Sequence, residues 1–142
     1  METLVRRLGR IFSLTKKTDG RTPSQRLLRR MDALERTLSA WLEDKGWRVP
    51  VRTVGEAAER LKTDTGTLHA YFRDRVGMDF RTWRNRLRLE DAKRMLLEQP
   101  EIEASEVGRR CGFSNRSNFA RQFLSYTGRT PKEWRDSGAS PE

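Results

Sequence analysis

The sequence predicts an all-α fold, with two helix-turn-helix units joined by a long central helix and preceded by an extra N-terminal amphipathic helix. Three observations predict it. Residues 104–135 alternate a short helical segment, a Gly-containing turn and a second segment rich in Arg, Asn and Ser, which is the plan of a helix-turn-helix. The same plan occurs earlier. Moved back by 51 positions, Phe119 falls on Leu68, Phe123 on Phe72, Gly128 on Gly77, Trp134 on Trp83 and Arg135 on Arg84. Moved back by 50, Glu106-Val107-Gly108 falls on Glu56-Ala57-Ala58 and Cys111 on Leu61, so the second turn is one residue longer. A single offset held over this many positions marks two copies of one unit. Third, Asp79 is placed to cap a long connecting helix that runs to about Gln99, before Pro100.

Residues 1–21 carry Arg6, Arg7, Arg10, Lys16, Lys17 and Arg21, with Leu4, Leu8, Ile11 and Phe12 at helical spacing. They fit either a basic amphipathic helix or a flexible tail. Residues 22–48 hold the N-terminal helix: Thr22-Pro23-Ser24-Gln25 is a capping box with proline at the first position, and Leu27, Met31, Leu34, Leu38, Trp41 and Leu42 follow until Gly46. Its apolar face suits packing on the rest of the chain, or self-association through residues 24–46.

A second capping box, Thr53-Val54-Gly55-Glu56, opens the first helix-turn-helix, at about 53–78. Its first helix runs to Leu61 and its candidate recognition helix covers residues 65–74. The linker helix, about 79–99, spans roughly 30 Å at 1.5 Å per residue. That is close to the pitch of about 34 Å at which major-groove faces repeat, a length suited to two reading helices on one duplex face. The second helix-turn-helix takes about 103–136 and closes with the capping box Thr130-Pro131-Lys132-Glu133. Residues 137–142 have no apolar content to pack and are expected to be disordered.

The 142 residues hold 30 Lys and Arg against 20 acidic residues, a net charge of +10. This attracts polyanions, whether nucleic-acid phosphate or anionic lipid. Residues 110–135 hold six basic side chains with Glu133 as the one acid, which favours nucleic acid. One cysteine and one histidine, Cys111 and His69, make neither an internal disulfide nor a four-ligand zinc site. No stretch approaches the roughly 18 apolar residues needed to span a bilayer, so the expected location is cytoplasmic and nucleoid-associated.

With about 100° per residue, Phe119 and Phe123 facing the core turn Ser117, Asn118 and Arg121 outward, with Arg116 near the helix start. Arg forks onto guanine, Asn pairs adenine, and Ser serves base or phosphate. In the first unit the same projection turns Gly66, Thr67, Ala70 and Arg73 outward with His69 at the flank. Of these, Thr67 and His69 are the base-contact candidates, and His69 fits either a DNA contact or an idle exposed imidazole. A face with Gly and Ala suits contact with thymine methyls, or phosphate and shape readout. Phosphate contacts are expected from Thr53, and from Thr130 with Arg129 and Lys132 flanking it, at helix starts, and from the outward Arg73. Trp41, Trp47, Trp83 and Trp134 are expected to pack in cores. Cys111, aligned with Leu61, is expected to be buried.

Glu56-Ala-Ala, Arg88-Leu-Glu-Asp-Ala-Lys-Arg-Met-Leu-Leu97, Gly112-Phe-Ser and Gly128-Arg-Thr-Pro-Lys-Glu-Trp-Arg135 resemble the DNA-binding domain of AraC/XylS-type transcription regulators, over about residues 51–136 within a domain of 49–136. The resemblance implies a seven-helix domain whose two helix-turn-helix units read adjacent major-groove segments of double-stranded DNA, with RNA polymerase as a further partner. Gly66 and Ala70 depart from the larger residues the family often has there. Some relatives place an effector or membrane-sensor region before this domain. The length leaves no room for one, so the expectation is an excised domain, membrane-tethered in that case, or a stand-alone small regulator. Some methyl-transfer DNA repair proteins carry a similar domain, but the place of Cys111 before the turn argues for packing. No nucleophile arrangement or phosphate-cradling loop is present, and a non-enzyme without cofactor is expected. The alternative is a protein-interaction module with non-specific nucleic-acid or membrane-surface affinity.

Overall fold

The computed structural model describes residues 22–138, and the possible basic helix of residues 1–21 lies outside them. These residues form two compact units, one of residues 22–46 and 51–84 and the other of 47–50 and 85–138. Among the described residues there are seven α-helices and no strand.

In the first unit, helix α1 is Pro23–Glu43. Its capping box is complete: Gln25 donates its N–H to Thr22 Oγ1 at 3.1 Å, and Thr22 N–H donates to Gln25 Oε1 at 2.8 Å. Met31, Leu34, Leu38 and Leu42 bury one face. The helix ends at Glu43 with Asp44 as its C-cap, ahead of Gly46, and Lys45 follows in the left-handed region at φ 55°. Gly46 is needed for a different reason: a Cβ there would lie 2.3 Å from the Trp41 ring.

Helix α2 (Val54–Arg60) starts on Thr53, whose hydroxyl accepts from Glu56 N–H at 3.0 Å. The return bond from the Glu56 side chain, expected from the sequence, is not formed. Helix α3 (Thr65–Tyr71) is capped by Asp64 and continues as a wider π turn over Phe72–Val76 before Gly77, at φ 86°, ends it. The Gly77 N–H reaches back five residues to the Phe72 carbonyl at 2.7 Å.

α3 packs against both α1 and α2. The apolar face of α1 is thus used inside this unit, and its polar residues lock the contact. Tyr71 donates its hydroxyl to Glu35 at 3.2 Å, and Arg75 pairs with Asp32 at 3.2 Å. Phe72 lies 4.9 Å from the Trp83 ring, on which Trp41 stacks at 5.5 Å.

Helix α4 (Phe80–Glu98) opens on Asp79, which accepts from Thr82 N–H at 2.7 Å. Its residues from Asn85 onward belong to the second unit, with α5 (Ala104–Arg110), α6 (Arg116–Thr127) and α7 (Pro131–Asp136). Leu89, Ala92, Met95, Leu96, Val107, Cys111, Phe113, Phe119 and Phe123 form its core, with Trp134 partly buried against them. Gly108 lets α5 and α6 meet: a Cβ there would sit 2.4 Å from the Phe119 ring. Ser137 caps α7 after Asp136 rather than joining a structureless tail, and it donates its hydroxyl to the Trp134 carbonyl at 2.9 Å.

Asp91, fully buried, gathers three donors in this unit. It accepts from Trp47 Nε1 at 2.9 Å, from Arg48 at 2.6 and 2.9 Å, and from Arg94 at 2.9 Å. Burial alone would raise its pKa; the Arg48, Trp47 and Arg94 hydrogen bonds outweigh it and hold the carboxyl at about 2. These bonds, with Arg88 donating to the Trp47 carbonyl at 2.6 Å, tie the short 47–50 segment to α4.

The repeat read from the sequence recurs in the backbone. Gly77 and Gly128 both take left-handed φ, 86° and 80°, at the end of the second helix of their units. The turn between the two helices is residues 61–64 in one unit and 111–115 in the other, one residue longer as the offsets predict. Each places a left-handed residue after the helix end, Lys62 and Gly112.

Candidate nucleic-acid interface

Helix α6 carries the denser set of polar donors. Asn115 caps it, accepting from Asn118 N–H at 2.8 Å. Phe119 and Phe123 point into the core, which leaves Arg116, Ser117 and Arg121 exposed and Asn118 half-buried. Asn118 Oδ1 accepts from Arg121 Nη2 at 2.6 Å and from Gln122 Nε2 at 3.0 Å. Gln122 in turn accepts from Asn85 on α4 at 2.7 Å. A chain of amides therefore runs from α4 to the Arg121 guanidinium and sets its direction. Asn118 acts here as the holder of Arg121 more than as a free base-pairing amide. Residue type alone does not mark Gln122 or Asn85 for this role. The four-residue step from Asn118 to Gln122 was a usable signal, whereas the Asn85 contact is tertiary.

The first unit corrects the helical projection. Thr67 is only 1% exposed and Ala70 5%, so neither faces outward. The Thr67 hydroxyl donates to Asp64 Oδ2 at 2.9 Å, closing the start of the helix. The physical reason is the double packing of α3: α1 covers a second side of the helix and widens the buried sector. The outward line of α3 is Gly66, His69 and, in the turn beyond it, Arg73, all exposed, so His69 is central and not at the flank. Arg73 lies against Asp74, donating from Nε at 2.8 Å.

Of the phosphate candidates, Thr53 is exposed with its hydroxyl engaged by Glu56 N–H. Arg129, Thr130 and Lys132 come together at the start of α7. Glu133 accepts the Thr130 N–H at 2.8 Å, so the chain's own carboxylate already satisfies that helix start. Arg129 donates to Ser137 at 2.9 Å, and Lys132 is exposed. On α5 the partly exposed Glu106 is bonded by Arg109 and by Arg110, which hold its pKa at about 2. It stays an anion masked by two guanidiniums, and a shallow concavity of about 270 Å³ runs from it to Arg116.

Cys111 is fully buried, as the repeat predicts, and burial pushes its thiol pKa well up, away from nucleophilic character. Among the described residues no helix is long and apolar enough to cross a membrane.

A family model described as a helix-turn-helix domain matches residues 57–137. The chain is 33% identical over 88 residues to the HTH-type transcriptional activator RhaS of Pectobacterium carotovorum subsp. carotovorum PC1, covering 62% of this chain and 31% of that protein. It is 28% identical over 126 residues to the arabinose operon regulatory protein of Escherichia coli K12, covering 78% of this chain and 41% of the other. To RhaS of Salmonella arizonae it is 32% identical over 105 residues, 73% of this chain and 36% of the relative. The chain thus spans well under half the length of these curated relatives. No solved structure matches it significantly.

Proposed function

Because the chain belongs to the AraC/XylS-type helix-turn-helix family, we propose that it is a sequence-specific double-stranded DNA-binding transcription regulator that inserts α6 and α3 into adjacent major-groove segments. The observation that carries this is the exposed, pre-oriented Arg121 beside Arg116 and Ser117 on α6. A guanidinium held in direction by a side-chain network loses less freedom on meeting guanine O6 and N7. Arg129, Thr130 and Lys132 at α7, and Thr53 and Arg73 in the first unit, supply backbone contacts that fix register. The role is non-enzymatic, with RNA polymerase as the partner on bound DNA.

On α3, Gly66 and His69 offer a sparse reading face. We therefore assign sharp base preference to the half-site under α6, and a diffuse or A/T-type preference to the half under α3. Selection of bound duplexes from a random pool tests both statements. One sharp and one diffuse half is expected; two equally sharp halves would remove the division of labour, and no enrichment over scrambled duplex would remove sequence-specific binding itself.

A further inference from the structure

The two units differ at one matched pair of positions. In the second, Arg135 gives its Nε to the Leu96 carbonyl at 2.9 Å and its Nη2 to the Gln99 carbonyl at 3.2 Å. Its counterpart Arg84 is equally an arginine and is 9% exposed, yet its Nε is buried with no hydrogen-bond partner. The Arg84 guanidinium lies 5.5 Å from the Phe80 ring centre. Arg84 lines a narrow cleft with Val51, Arg52, Thr53, Phe80 and Arg81. Arg52 and Arg81 at this cleft are exposed; among the described residues no carboxylate lies within ion-pair distance of the three arginines, and the Asp79 carboxylate acts on Arg81 from farther off. Burial lowers the Arg84 pKa, and the like charge of Arg81 adds to it.

A guanidinium is always charged and carries five donors; left unpaired in a buried place it is a poor end state for a fold. The cleft's inner space is about 10 Å³, near the least that holds one oxygen-sized atom. A ligand must therefore push one oxygen inward and keep its remaining atoms at the mouth, near Arg52 and Arg81. A tetrahedral phosphate group has that shape, and a guanidinium fork is its usual complement.

We propose that Arg84, Arg52 and Arg81 form a phosphate-binding site on the first unit, in which Arg84 takes one buried phosphate oxygen and the two outer arginines hold the rest. The same chemistry fits a DNA phosphodiester or a free phosphate compound. The site does not depend on base reading by α6, since inorganic phosphate probes it without DNA.

The test titrates the full chain with inorganic phosphate against chloride at equal ionic strength, following the arginine Nε–H signals by NMR. Saturable shifts at Arg84, Arg52 and Arg81 are expected, and the phosphate affinity read at the Arg52 and Arg81 signals is expected to weaken about tenfold or more in Arg84→Met, which keeps the side chain's bulk. Should Arg84→Met fail to fold, the exposed double change Arg52→Gln with Arg81→Gln decides, with clear weakening expected. Absence of a phosphate-specific shift, or unchanged affinity in a folded variant, overturns the site. Duplex binding over a salt series then separates the sources. If the anion is a DNA phosphate, Arg84→Met makes the slope of log K against log salt shallower by about 0.9. Loss of inorganic phosphate binding with an unchanged slope assigns the site to a free phosphate compound.

Discussion

The second helix of each helix-turn-helix, α3 in one and α6 in the other, follows one plan, and the two have been put to different structural use. α6 buries Phe119 and Phe123, half-buries Asn118, Gln122 and Thr127, and leaves the rest of its circumference to solvent. α3 buries Thr67, Leu68, Ala70 and Tyr71, because α1 lies against it as well as α2. A helix covered on two sides keeps a narrow outward strip, and here the strip holds Gly66 and His69. Adding a helix to a helix-turn-helix thus exchanges readable surface for core. The aromatic contacts agree: Trp41, Phe72, Phe80 and Trp83 interlock in the first unit.

The largest expected effect separates the two tryptophans. Trp83 is 1% exposed, and Trp83→Ala is expected to cost roughly 3 to 5 kcal/mol. Trp134 is partly buried and gives its Nε1 to the Lys93 carbonyl at 3.1 Å, so Trp134→Ala is expected to cost less, roughly 2 to 3 kcal/mol. Denaturant melts of both variants check the order, and equal losses would put the two cores on a par.

Acid should weaken the second unit through Asp91. Its folded pKa, about 2, lies below the ordinary 3.8, so the stabilisation is fully present above about pH 4 and is lost as pH falls towards 2. The amount is about 2 kcal/mol. In Asp91→Asn the melting temperature should drop at neutral pH and change less across that window. A wild-type curve flat from pH 4 to 2 would mean that Asp91 is not held as an anion.

At the DNA level, Arg121→Ala is expected to cost about 1 to 3 kcal/mol on the selected duplex and to relax one base position. His69→Ala should cost less than about 1 kcal/mol and leave the sharp half-site intact. Equal loss from Arg121→Ala on random duplex would make Arg121 a phosphate contact.

The smallest effect tests the likeness of the units. Gly77 and Gly128 share left-handed φ, and an added Cβ meets nothing within 4 Å at either. Gly77→Ala and Gly128→Ala should therefore each cost about 1 kcal/mol, through backbone strain alone. A clear inequality in thermal melting would show that the two stops are not mechanically alike.

The helices, their caps and the repeat were legible because they are written in local signals: Thr22-Pro23 and Thr130-Pro131 starts, Gly77 and Gly128 stops, and apolar steps of three and four. The outward face of α3 was not. A projection from Leu68 and Phe72 assumes one packing partner, and the arrival of α1 on a second side is a long-range fact. The clue was the placement of Asp32 and Glu35 beside the apolar stripe of α1, where Arg75 and Tyr71 meet them. The Asn85–Gln122–Asn118–Arg121 chain was half legible, its helical steps visible and its tertiary link hidden. The solitary Arg84 gave no sign at all, since its contrast with Arg135 lies in which carbonyls each can reach.

Cys111, the chain's one thiol, is sealed between α4, α5 and α6. A maleimide or disulfide reagent can reach it only when that core parts, so the labelling rate under native conditions is a clock for opening of the second unit. The first unit has no thiol to answer. One unmodified molecule therefore carries its own reporter for half of its architecture, and comparing that clock with and without DNA would give the fraction of binding energy that reaches the interior beneath α6.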